Sequence, residues 1–308
     1  MMDLPRAGLP KRWQKFGDLV LIPSGVTLTP SDLATISAKY KVSRIAQQNP
    51  IQRDEIRTPN AELLVGTGTE LVQKENGVSY AYDFTRNMFS RGNVSEKIRF
   101  SALDVTDEVI IDLFVGIGYW VLQLAKHQRP KRLVCVDKNP DAIDALKRNI
   151  SLNKLESDKF DIILSDCMEV SGLVGNRILL GLIPCCCFAI PKAIQLLDQS
   201  QVGYVHVHHN FTESTGAARS DSGSNLIHLS CCEEKRRSGT HDRQVAIESE
   251  CTSAGDLFDL ANEFGHAFRR ADSHILTIRL LKSSRVKSYA PHVYHFVFDF
   301  AVYFNSSS

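Results

Sequence analysis

The stretch Val109-Ile-Ile-Asp-Leu-Phe-Val-Gly-Ile-Gly118 decides the fold. From Val109 to Val115 only Asp112 interrupts an apolar run, the pattern of a parallel strand buried on both faces. Gly116 and Gly118 then let the backbone turn tightly and come close to a ligand at the carboxyl edge of the sheet. A dinucleotide fingerprint needs a third glycine, and position 121 is Val, which counts against NAD. Alone, the Gly-x-Gly pair is a weak signal that a purely structural turn explains equally well.

Downstream, strands and helices alternate. Leu133–Val136 reads as a second strand, and Asn139 caps a helix with Pro140 at its first position. Ile143, Leu146 and Ile150 form that helix's buried stripe. Phe160–Leu164 is a third strand and Tyr204–His208 a fourth, while Ile275–Leu280 and Val293–Phe300 pair as a closing hairpin. Strand–helix alternation followed by antiparallel strands predicts an α/β, doubly wound sheet.

Upstream, residues 1–84 read as a small N-terminal mixed α/β module. Asp18–Ile22 is a strand, and Ser31-Asp32 caps a helix running to Tyr40. Leu71-Val72 leads into an Asn76-Gly77 hairpin turn, after which Val78, Tyr80, Tyr82 and Phe84 alternate on one face. Residues 85–308 form the second, larger domain. Within it Thr212–Ala254, with eight serines and a Glu-Glu-Lys-Arg-Arg run, reads as a mobile surface insertion without function.

Composition narrows the function classes. Of 308 residues, 43% are hydrophobic and 23% charged, which excludes a wholly disordered chain. Thirty-six basic against 35 acidic residues leave a net charge of +1, so nucleic-acid contact must come from local patches. The best apolar run, Ile178–Ile190, falls short of the ~20 residues a span needs and contains Pro184. The start, MMDLPRAGLPKRW, lacks an apolar signal core. Eight cysteines include Cys185-Cys186-Cys187 and Cys231-Cys232 but no CxxC pair, so a disulfide-stapled domain and a zinc ribbon are both disfavoured. The expected setting is the reducing cytoplasm.

Two carboxylates sharpen the ligand. Asp137 stands at the second strand's end, 19 residues after Gly118, where a carboxylate accepts both hydroxyls of a ribose. Asp166 ends the third strand, placed to accept from an adenine amino group, with Cys167 beside it offering a backbone donor. Each Asp alone can be a cap or turn residue. Marks at three successive strand ends favour one shared site, which suits S-adenosylmethionine (AdoMet) better than NAD. In the linker before the sheet, Ser90 can add a hydrogen bond and Lys97 a charge for the methionine carboxylate. A plain helix cap at Ser95 explains that segment as well.

Six segments, FTRNMFSRGNVSEKIR, VIIDLFVGIGYW, VDKNPDAIDALKRNISLN, LLGLIP, VHVHHN and RVKSYAPHVYHFVFDF, resemble in the same order motifs of the wybutosine-synthesizing branch of the tRNA guanine-N1-methyltransferase-related family. The likeness spans about Phe16 to Phe300, the insertion excluded. It implies a Rossmann-like class I AdoMet-dependent transferase domain. It also implies transfer of the 3-amino-3-carboxypropyl group of AdoMet to the tricyclic base beside the anticodon of phenylalanine tRNA. Cofactor contacts carry over onto Ser90, Lys97, Asp137, Asp166 and Cys167, and the glycine turn onto Gly116. The N1-methylating relatives have an Asn-Pro-Pro-aromatic clamp for a planar nitrogen. The aligned stretch here, Leu180-Gly-Leu-Ile-Pro-Cys185, resembles the aminocarboxypropyl branch instead. That branch tends to have Asn before this stretch where Leu179 stands, with Asn176 nearby.

No enzyme nucleophile is required, because the sulfonium already activates its three attached carbons and orientation selects among them. His206, His208 and His209 can assist proton removal, although a strand histidine is more often a hydrogen-bonded structural group. Three consecutive cysteines point different ways and cannot together ligate one metal, so they read as apolar fillers and no metal is expected. Between Arg269 and Lys287, six basic residues face one acid, Asp272. With Arg86, Arg91 and Arg99 they can track the phosphates of a tRNA anticodon stem.

Overall fold

The computed structural model describes residues 13–52, 54–89, 92–213, 229–230, 247–249, 275–290 and 293–304. The first strands are β1 (Gln14–Phe16), β2 (Leu19–Pro23), β3 (Arg44–Asn49), β4 (Asn60–Val65), β5 (Glu70–Glu75) and β6 (Val78–Asp83), with helix α1 (Pro30–Tyr40) after β2. Helix α2 (Val94–Ser101) leads into β7 (Val109–Asp112), α3 (Val121–His127), β8 (Arg132–Asp137), α4 (Pro140–Leu152) and β9 (Phe160–Leu164). Then come β10 (Arg177–Leu180), α5 (Ile190–Gln195), β11 (Gly203–Glu213), β12 (Leu229–Ser230), β13 (Ile247–Ser249), β14 (Ile275–Ala290) and β15 (Val293–Phe304). Two compact units emerge. One gathers the described residues within Met1–Arg91, Gly116–Gly118 and Asn139–Leu155, the other those within Gly92–Val115, Tyr119–Lys138 and Glu156–Ser308.

In the first unit β1 to β4 form one sheet in sequence order, and β5–β6 form a hairpin. The helix cap differs from the sequence reading by two residues. Thr29 Oγ1 accepts from Asp32 N–H at 3.2 Å while the Asp32 carboxylate accepts from Thr29 N–H at 2.9 Å, a reciprocal capping box around α1. Val20, Ile22, Ile36, Val42 and Ile45 then seal that helix to its sheet. The hairpin turn has φ of 46° at Asn76 and 78° at Gly77, the left-handed pair that a two-residue turn needs, and buries Val78, Tyr80 and Tyr82.

Two asparagines one helical turn apart join α4 to this hairpin. β6 would otherwise present unpaired edge amides. Asn153 accepts from Ser79 N–H at 2.8 Å and donates to Ser79 C=O at 2.7 Å. Asn149 accepts from Ala81 N–H at 2.7 Å and donates to Ile117 C=O at 3.1 Å. Asn149 therefore holds the middle of the glycine turn, whose flanking Gly116 and Gly118 have φ of 54° and 99°, a region that favours glycine.

The second unit carries one large sheet in the order β13-β14-β15-β11-β10-β7-β8-β9, with β12 on β11. From β9 to β11 the five neighbours run parallel, and β15 lies antiparallel between β11 and β14. Strand order reverses between β7 and β10, the switch point outside which doubly wound sheets bind ligands. β10 escaped the sequence reading because its four residues merge into the apolar segment that follows. β7 stops at Asp112 rather than Val115, because the Asp112 carboxylate accepts from Phe114 N–H at 3.1 Å and turns the chain. β11 runs on through Thr212 and Glu213, and β14 is 16 residues long. Asn93, whose side chain makes no capping bond, precedes α2, so Ser95 lies inside the helix rather than capping it. The rest of the 212–254 segment, apart from β12 and β13, lies outside the described residues, as do Ser90, Arg91, Arg269 and Arg270. No helix among the described residues is long and apolar enough to cross a membrane.

The asparagine clip sets an expected outcome. Asn149→Ala leaves Ala81 N–H and Ile117 C=O without their partner, and each buried orphan costs ~1–3 kcal/mol. Urea denaturation should show a loss of that order, with a smaller loss in an Asn149→Asp variant that keeps the acceptor.

Candidate functional site at the sheet's switch point

The predicted carboxylates stand on adjacent strands. β8 ends at Asp137, and Ser165 N–H donates to Asp137 C=O at 3.1 Å, which brings the segment after β9 alongside it. Asp166 follows one residue later. Its carboxylate accepts from Met168 N–H at 2.8 Å and lies 3.6 Å from Lys138 Nζ. The backbone donor, followed by the lysine charge, holds its pKa below the usual value. Cys167 is buried, and burial with the Asp166 charge beside it pushes its thiol up to about 12, so its side chain stays neutral.

Lys97 lies on α2 with no solvent exposure, its Nζ 4.6 Å from the centre of the Tyr119 ring. Tyr119 adjoins Trp120, and Trp120 packs against Phe100 of α2 at 5.5 Å and against the His208 ring at 4.7 Å. Gly181 follows β10 at this aromatic wall. A Cβ there would stand 3.1 Å from the Trp120 indole nitrogen, a tight contact that the indole would have to relieve by a few tenths of an ångström. The larger unit thus carries a fully buried lysine beside aromatic rings and a carboxylate at or just past the ends of two adjacent strands. Gly116 belongs to the other unit, and its φ of 54° is the property the sequence required of it. Ser90 lies outside the described residues.

Between these groups stands Asp112, which sequence reasoning read only as a break in an apolar strand. It is fully buried, and its Oδ2 meets no donor among the described residues. Burial raises its pKa to about 8, the Asp137 charge adding to the effect. Register places Cys135, Asp112, Leu179, His206 and Asp299 side by side across the sheet. Leu179 is thus an apolar residue between two polar neighbours and can hydrogen-bond neither. Asn176 does not replace the missing amide. It sits at the opposite end of β10, with Oδ1 accepting from Val109 N–H at 2.7 Å.

The histidines have structural partners. His206 Nδ1 lies 2.6 Å from Asp299 and its Nε2 lies 2.7 Å from Arg177 Nη1. Arginine can only donate, so Nε2 accepts and Nδ1 carries the proton. Burial keeps this imidazole neutral, and its lone pair is already engaged, so it is no free base. His208 pairs with His295 at 3.0 Å, and burial holds it well below its usual pKa. Arg99, expected on tRNA phosphates, is instead drawn into ion pairs with Glu96 at 2.5 Å and Asp299 at 2.6 Å. Arg86 is exposed and lies 3.1 Å from Asp141. The filler reading of the cysteines holds for buried Cys186, whereas Cys185 and Cys187 are partly exposed.

The Asp112 shift has a testable sign. Between pH 4 and 8 the unfolded chain has this carboxylate ionised while the folded chain keeps its proton, so the group lowers stability as pH rises. Asp112→Asn should flatten that fall by up to about 1.4 kcal/mol per pH unit, read from urea midpoints at pH 5 and pH 8.

Comparison with known proteins agrees with this geometry. The profile of the TRM5/TYW2 methyltransferase domain matches residues 71–222. A tRNA wybutosine-synthesizing protein 2 homolog from Mus musculus is 30% identical over 320 residues, covering 95% of this chain and 70% of the relative. The Danio rerio homolog is 31% identical, with 96% and 72% covered. Among solved structures, P. horikoshii TYW2 in complex with MeSAdo superposes with a TM-score of 0.67 at 24% identity, covering 96% of this chain and 92% of that one. The M. jannaschii tRNA m1G37 methyltransferase gives 0.67 at 23%, covering 97% and 74%. Sheet order, switch-point site and relatives converge, and the chain belongs to the tRNA wybutosine-synthesizing protein 2 family.

Proposed function

We propose that the chain is an AdoMet-dependent tRNA aminocarboxypropyltransferase, with phenylalanine tRNA and the tricyclic base next to its anticodon as the acceptor, acting in the cytoplasm. The observation that carries this reading is the segment after β10. Where a nitrogen-methylating enzyme needs an amide and carbonyls aimed at a planar amine, Gly181-Leu-Ile-Pro184 offers glycine and three apolar residues. Gly181 passes against Trp120, and Phe114 meets Phe188 edge-on at 6.0 Å. Such a surface holds a flat polycyclic base by stacking and shape.

In this reading Asp137 takes the ribose hydroxyls and Asp166 the adenine amino group, with Cys167 N–H as a donor. Lys97 takes the methionine carboxylate, and Ser90 adds a hydrogen bond. Holding that carboxylate swings the methionine arm toward the acceptor. A ring carbon of the base then bonds the γ-carbon in line, the carbon–sulfur bond breaks with its electron pair on sulfur, and neutral methylthioadenosine leaves. The base loses one proton. The chain's contribution is orientation, because the sulfonium supplies the activation.

With precursor tRNA and AdoMet labelled in the methionine chain, label should enter the tRNA and methylthioadenosine should accumulate one for one. Methyl label in the tRNA with S-adenosylhomocysteine as product would make the chain a methyltransferase instead. Gly181→Ala should lower kcat/KM severalfold, because the indole must give by a few tenths of an ångström and the acceptor with it.

A further inference from the structure

Cys185, Cys187 and His209 bring two Sγ atoms and one imidazole nitrogen within 4.8 Å of one another. The objection that consecutive cysteines diverge applies to neighbours, not to alternate residues. Cys186 points into the core, its thiol donating to His208 C=O at 3.2 Å and lying 3.5 Å from Leu180 C=O. Cys185 and Cys187 are thereby left on a common side, Cys187 N–H approaching Cys185 Sγ at 3.4 Å. The third group arrives from β11, with His209 Nδ1 3.8 Å from Cys187 Sγ. Tetrahedral zinc with sulfur at ~2.3 Å and nitrogen at ~2.0 Å spaces those two ligand atoms about 3.6 Å apart, close to the separation present.

The geometry points to a Zn²⁺ site formed by Cys185, Cys187 and His209, with the fourth tetrahedral position open to water. Two thiolates and one imidazole suit zinc, whereas the hard cations take oxygen ligands. The backbone between the ligands is already tied down, because Asn210 N–H donates to Pro184 C=O at 2.8 Å. Little reorganisation is needed for an ion to close the clip. A zinc there fastens the segment after β10 to β11 just beyond Gly181–Pro184. The metal claim stands on these three side chains and does not depend on which group AdoMet donates.

Binding deprotonates the thiols, so each zinc taken up near pH 7 releases about two protons. The test uses the reduced full-length chain with Zn²⁺ alone, without tRNA or AdoMet. We expect one Zn²⁺ per chain after gel filtration and about two protons released per ion. Co²⁺ in its place should give a sulfur-to-metal charge-transfer band with tetrahedral ligand-field bands. Cys185→Ser and Cys187→Ser should each weaken Zn²⁺ binding about 100-fold and abolish that band. Zinc retained equally by both serine variants would place the ion elsewhere and overturn the site. So would a wild-type chain whose cobalt form lacks the thiolate band, a result that needs no variant to fold.

Discussion

One buried chain of hydrogen bonds and ion pairs ties helix α2 to the central strands of the larger unit. Glu96 and Asp299 share Arg99, Asp299 holds His206, His206 accepts from Arg177, and Arg177 closes on Glu108 with bonds of 2.6 and 2.7 Å. It joins α2, β15, β11, β10 and the start of β7 into one frame. Buried pairs gain little net stability over apolar packing, yet removing one partner is costly because the other charge is left dry. The chain therefore acts as a gauge of position more than as glue. Asp299, held far below the usual carboxylate range by His206 and Arg99, contributes at neutral pH and loses its contribution in acid. The helix so fixed is the one that carries Lys97.

How much of this was legible in the sequence follows from the range of each interaction. Strands β8 and β9 and the Asn139–Pro140 cap depend on residues next to one another, and they stand where the sequence places them. The hairpin does too, because Asn-Gly dictates its own backbone. Misreadings cluster where a distant partner decides. Arg177-Ile-Leu-Leu180 is a strand only because β7 and β11 flank it. Arg99 looks like a phosphate ligand until Asp299, 200 residues away, is found against it. Asn149 and Asn153 look like ordinary helix polar residues, and only the fold puts a strand edge opposite them. Cys187 and His209 meet across 22 residues, so no spacing rule announces them.

Asp112 and Leu179 show how a neighbour changes chemistry without touching a substrate. The sheet register sets an uncharged aliphatic side chain beside a buried carboxyl, and nothing on that side pays for ionising it. The carboxyl keeps its proton near neutrality, so it can donate through one oxygen while the other accepts from Phe114 N–H. An asparagine at position 179 would offer both polar neighbours a partner. The same face thus carries its polarity on strand ends and its apolar character on the segment after β10, a division that suits a charged cofactor arm on one side and a flat base on the other.

The central claim is that Lys97 grips the carboxylate of the methionine arm and so decides which carbon of AdoMet meets the acceptor. Calorimetry with two ligands isolates it, because methylthioadenosine shares the adenosine and the sulfur but lacks the carboxylate. In a folded Lys97→Ala chain the account predicts markedly weaker AdoMet binding with methylthioadenosine binding unchanged. Equal losses for both ligands, or none for either, would contradict it.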